Sequence, residues 1–178
     1  MSKKYFGYGF QVKRTKEGAI ILLIVIVLAI IIFSNWYNSR TVTNKINNLS
    51  YKTFFGVNEF KYKDCNKAYR INYKKNTCGT ICIKEVVNNN NYLEELKESM
   101  EEDGFQFNNI TTIKVGNETW NYLKTTDSDP IMNYYSINNE KYTYLIEYID
   151  QTNSLDKKVS DKCQTIIDKV NDSIELGN

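Results

Sequence analysis

Histidine is absent from all 178 residues, and proline occurs once, as Pro130. Without an imidazole the chain has no Ser-His or Cys-His pair to activate a nucleophile, and no His-ligated zinc hydrolase site. The 8 glycines include no G-x-G-x-x-G run, no phosphate loop and no G-x-S-x-G elbow. A basic excess is also missing where it would matter. After residue 17 there are 18 basic and 20 acidic side chains, which removes the electrostatic footprint of a nucleic-acid binder. Carboxylates do cluster at Glu94, Glu95, Glu98, Glu101, Glu102 and Asp103, but they are strung along one segment and read as the wet face of a helix. Residues 127–130 (DSDP) are too short for a calcium loop, which needs alternating acids around a central glycine. The expectation is a protein that is not an enzyme, with no cofactor, no metal and no nucleic-acid partner.

What the chain does have is one long oily run. Residues 18–33 read GAIILLIVIVLAIIIF, sixteen positions without a charge or a strongly polar group. At about 1.5 Å per residue that covers roughly 24 Å, and the extension to Trp36 and Tyr37 brings it near the ~30 Å hydrocarbon thickness. Trp36 and Tyr37 suit the headgroup boundary. Lys3, Lys4, Lys13, Arg14 and Lys16 precede the run, against Glu17 alone. The basic bias therefore puts the amino terminus in the cytoplasm and the remainder outside the cell membrane. The exit sequence FSNWYNSR lacks a small-x-small cleavage site, so the segment reads as an uncleaved single-pass signal-anchor. A basic leader ending in Gly18 also resembles a prepilin, but Leu23 stands where prepilins carry glutamate. That alternative makes the chain a minor pilin-like subunit of a surface assembly.

The expected domains are a basic tail (1–17), a transmembrane segment (18–37), a polar Asn-rich tether (38–50) and an extracytoplasmic α+β domain (51–178). Within the last, Phe60 and Tyr62, then Tyr69, Ile71 and Tyr73, then Ile81 and Ile83 alternate as half-buried strands do. Leu93, Leu96 and Met100 change the period to that of a helix over 92–102, stopped near Gly104. Two hairpins follow, one turning at Gly116 and Asn117, the other at Asn138 and Asn139. In the return strand of the second, Tyr142, Tyr144, Ile146 and Tyr148 oppose Leu145, so both sheet faces are expected to be covered. A final helix over about 155–176, with Ser154 as N-cap, carries the stripe Val159, Cys163, Ile166, Val170 and Ile174. The order of three strands, helix, four strands, helix predicts an antiparallel sheet packed against two helices.

Several of these segments carry a family resemblance. FKYKDCNKAYRINY, the helix, GNETWNYLKTTD, YYSINNEKYTYLIEYI and the terminal NDSIEL together resemble the PsbP/DcrB-like group over residues 51–176. The resemblance implies a small α/β/α sandwich-like domain, of a kind often anchored on the outer side of bacterial membranes. It brings no catalytic motif and no uniform activity. A low-GC bacterial source is suggested separately by the preference for Lys over Arg and the abundance of Asn.

Cys65, Cys78, Cys82 and Cys163 all follow the apolar run, and an even count in an exported domain favours disulfides. Cys163 lies on the inward stripe of the last helix, so one member of CGTIC is its expected partner, closing a loop of about eighty residues. Free thiols, a metal site and a redox pair are the competing readings. C-x-x-x-C has the wrong spacing for a thioredoxin-type pair, and zinc knuckles are missing. The 14 tyrosines are a surplus, with Tyr134, Tyr135 and Tyr142 the candidate exposed binding surface. Cross-strand ladders are the competing use of those rings. The function expected is a membrane-tethered, non-catalytic domain that binds an unidentified envelope protein or cell-wall component.

Overall fold

The computed structural model describes residues 16–38 and 40–177, in two compact units divided at Ser39. The basic tail expected over 1–17 lies, apart from its last two residues, outside the described residues. The first unit contains α1 (Lys16–Asn38). Its window Ile20–Tyr37 has a mean hydropathy of 2.7 over 18 residues, long and apolar enough to cross a membrane.

The second unit begins earlier than expected. The tether expected over 38–50 is largely strand: β1 (Val42–Ile46) pairs antiparallel with β2 (Leu49–Thr53). Asn47 turns the hairpin at φ 46°, a left-handed conformation that Asn tolerates. The alternation of Leu49, Tyr51 and Thr53, all buried, is what draws this polar-looking segment into the core. After it come β3 (Val57–Phe60), β4 (Lys67–Tyr73), β5 (Asn76–Val87), α2 (Tyr92–Glu102), β6 (Thr111–Val115), β7 (Glu118–Lys124), β8 (Ile131–Asn138) and β9 (Tyr142–Asp150). The chain ends with α3 (Lys157–Asn171) and β10 (Glu175–Leu176). Seven strands form one antiparallel sheet in the order β3-β4-β5-β9-β8-β7-β6, and β1-β2-β10 form a second.

Helix ends follow local chemistry. Gly104 at φ 93° lets its N–H reach Glu101 O while the Phe105 N–H reaches Met100 O, the paired bonds of a Schellman stop for α2. The N-cap of α3 is Asp156, whose Oδ1 accepts the Val159 N–H at 3.1 Å, not Ser154. That helix also stops at Asn171 rather than Leu176, because Glu175 and Leu176 pair with β2. At the β6–β7 turn, a Cβ on Gly116 (φ 60°) would sit 2.1 Å from Ile174 O, so only glycine lets the turn and the chain end approach this closely.

Both faces of the large sheet are packed, as the pattern of β9 required. Tyr69, Ile71, Ile81, Ile83, Trp120, Tyr144, Ile146 and Tyr148 meet α3 and the small sheet in the main core. Leu123, Tyr134 and Leu145 meet Leu93, Leu96 and Met100 of α2 on the opposite face. Trp120 is fully buried, yet among the described residues its indole N–H has no acceptor. An unmade hydrogen bond of that kind costs about 1–3 kcal/mol. Trp120→Phe removes the orphan donor along with some packing, and is expected to change unfolding free energy by less than about 1 kcal/mol in urea titrations followed by circular dichroism. Trp120→Ala, which opens a cavity, should cost about 3–5 kcal/mol. Equal losses in the two variants would refute this account.

Candidate functional site

The two helices do not cover the sheet equally. On the α2 face, that helix lies over β7 and β8, and the β3-β4-β5 half lies outside its cluster. Side-chain alternation decides what is displayed there. Residues opposite in parity to Tyr69, Ile71, Ile81, Ile83, Ile146 and Tyr148 point to this face. One rung runs Phe60, Ala68, Cys82, Glu147, and the next runs Asn58, Arg70, Thr80, Ile149. Between them lies a hollow of about 170 Å³. Ala68 and Cys82, both buried, form its deep part. Phe60, Tyr62 and Arg70 form one side, with Ile149 and Glu147 toward α2.

The rim is organised by four interactions. Cys65 and Cys82 form a disulfide, which holds the β3–β4 connection, with Tyr62 in it, against the sheet. The Phe60 and Tyr62 rings sit 6.0 Å apart, tilted, and the Arg70 guanidinium lies 5.3 Å from the Phe60 centroid, a cation–π arrangement. Glu147 is engaged by Lys84 at 3.6 Å. Tyr62, at 57 % exposure, is the most open aromatic ring of the hollow. Sequence alternation marked it as a strand residue, but β3 ends at Phe60.

The expected tyrosine surface is corrected by the structure. Tyr134 is 3 % exposed. It lies beneath α2, where its hydroxyl donates to the sulfurs of Met100 and Met132, and burial pushes its pKa far above the usual phenol value. Tyr135 packs against the main core and pairs across strands with Tyr122, ring centroids 5.1 Å apart. Tyr142 is half-buried, at the rim of a broad polar cleft of about 740 Å³ beside the Asn47 and Asn139 turns. A sheet covered on both faces absorbs rings that a single core would have left outside. Tyr51 and Tyr69 share a buried 2.8 Å hydrogen bond, and the Tyr122 hydroxyl donates to Asn133 Oδ1 at 2.8 Å.

The remaining cysteines, Cys78 and Cys163, form the second disulfide, joining β5 to α3. Trp36 and Tyr37 lie at the end of α1, about half exposed. Asp103, Asp127 and Asp129 border an open cleft near the end of α2. Among the described residues no group of three or more carboxylates or thiols is placed to hold a metal ion.

The chain superposes on the solution structure of the cyanobacterial PsbP protein (CyanoP) from Synechocystis sp. PCC 6803 with a TM-score of 0.54, covering 79% of this chain and 93% of that one. The fold is PsbP-like. Sequence identity over the match is 7%, so the likeness concerns architecture and not chemistry. A protein from Bacteroides thetaiotaomicron overlaps 79% of this chain and 49% of its own at a TM-score of 0.45 and 10% identity, too low a score to bear on the fold. No family model and no curated protein matches the sequence. The PsbP-like domain is thus described by its own surface, where the hollow combines what binding energy favours: a buried apolar bottom, aromatic walls and an Arg. The broad polar cleft at the Asn47 end has an open, solvated lining instead.

Proposed function

We propose that this chain is a membrane-tethered, non-catalytic binding protein. Its PsbP-like domain stands on the oxidising side of the membrane and engages a protein or envelope component through the bare half of its sheet. The observation that carries the reading is the unequal covering of that sheet face. A helix buries one half, while the other presents Phe60, Tyr62 and Arg70 around an apolar hollow. The apolar α1 supports the tether. Two disulfides support an oxidising compartment, since reducing cytosol does not maintain them.

The test is photo-crosslinking in intact cells from an unnatural residue at Thr80, which lines the hollow. The control position is Gln164, exposed on α3. A discrete adduct is expected from Thr80 and not from Gln164. The same adducts from both positions, or none from either, would count against the reading.

A further inference from the structure

The hollow also carries information about what fills it. Resting on the reading above, we infer that its occupant is an extended segment of a partner protein, bearing an apolar or aromatic anchor flanked by acidic residues. Size is the first argument. At about 170 Å³ the space falls below the roughly 300–1,000 Å³ of small-molecule sites and suits one protruding side chain, the usual form of a binding anchor.

Position is the second argument. The hollow adjoins β3, an edge strand of the seven-stranded sheet, four residues long and, among the described residues, with a neighbouring strand on one side only. Such an edge offers backbone donors and acceptors to an added strand. A segment lying along β3 would drop alternate side chains toward Phe60 and Arg70.

Charge is the third. The one acid lining the hollow, Glu147, is engaged by Lys84. Among the described residues the one cation lining it, Arg70, has no ion-pair partner. An incoming acidic side chain meets Arg70 already oriented over Phe60 at 5.3 Å, whereas a basic one meets repulsion. A partner's acids therefore set register while its apolar anchor supplies the buried contact.

The experiment uses the full chain in nanodiscs and three synthetic octapeptides. One has a central phenylalanine flanked by glutamates, one has the same phenylalanine flanked by lysines, and one has alanine between glutamates. Affinity is read by fluorescence polarisation, and the binding position by competition with crosslinking at Thr80. The first peptide is expected to bind at least about tenfold more tightly than the other two. Arg70→Glu, an exposed substitution that leaves the core intact, should reverse the preference between the glutamate and lysine peptides.

Equal binding of the two charged peptides, binding of none, or binding unaffected by Arg70→Glu overturns the inference. So does a Thr80 adduct in cells that glycosidase digests and protease does not. A protein adduct at Thr80 without the charge preference would overturn the proposed chemistry and leave the docking surface standing. Absence of any adduct removes the underlying reading itself.

Discussion

Raising the pH from 8 to 11 is expected to strip roughly 5 kcal/mol from the stability of the PsbP-like unit, enough to unfold it or nearly so. Tyr51, Tyr134, Tyr135 and Tyr148 all have pKa values raised well beyond the ordinary phenol range, chiefly because burial penalises the phenolate. In the unfolded chain each would ionise near pH 10. The folded state therefore holds protons that the unfolded state releases, and stability is fully present well below pH 10 and falls as the pH rises through it. Each phenol contributes about 1 kcal/mol per pH unit in that range. Four of them approach the whole margin of a typical domain, about 5–15 kcal/mol. Urea titrations at pH 8, 9, 10 and 11 should show a midpoint flat to about pH 9, a first decline by pH 10 and a steep fall beyond it. Tyrosinate absorbance should rise in step with the loss of structure. If the midpoint at pH 11 matched that at pH 8, the burial of these hydroxyls would be wrongly described.

The second large effect separates the two disulfides. Cys78 and Cys163 are both fully buried and close a loop of 85 residues, while Cys65 and Cys82 close one of 17. Chain entropy alone assigns about 4–5 kcal/mol to the first and about 3 kcal/mol to the second. The first also joins β5 to α3 through the main core, so Cys78→Ala with Cys163→Ala leaves a void as well. That double variant is expected to lose at least about 4 kcal/mol, read as a lowered urea midpoint with a steeper slope, because the unfolded chain is no longer cross-linked. Cys65→Ala with Cys82→Ala should cost less overall. It frees the β3–β4 connection that carries Tyr62, so its larger consequence falls on binding at the hollow. A greater stability loss from the Cys65 and Cys82 pair would reverse this assignment of roles.

The two bridges also show where periodicity stops being informative. By alternation, Cys78, Thr80 and Cys82 belong to one face of β5. In the structure, register shifts beside Ile71, with Ile71 opposite Gly79 and Asn72 opposite Thr77. Cys78 is left between paired positions, in a bulge that turns it toward Cys163, while Cys82 points the other way to Cys65. CGTIC thus feeds both sides of the sheet. Its sequence contains no signal for the bulge, because the bulge arises from how β4 and β5 align along their length.

Some features needed only local chemistry. The apolar run of residues 20–37 makes a spanning-length helix from composition alone. Gly104 ends α2, and Gly116 with Asn117 turns β6 into β7. Leu145 set against Tyr144 and Ile146 already demanded cover on both faces, and the α+β class followed from the order of elements. These rest on periodicity, capping and turn geometry, which act within a few residues. The rest waited on contacts between distant segments. The strands of residues 42–53 depend on a core to receive Leu49 and Tyr51, and on β10 arriving from the other end of the chain. Tyr134 is hidden because α2 lies over β8, while Arg70 and Tyr62 stay open because α2 does not reach over β4 on that face and α3 packs on the other. Which half of a sheet a helix covers is decided by packing, and no residue spacing along β4 or β8 encodes it.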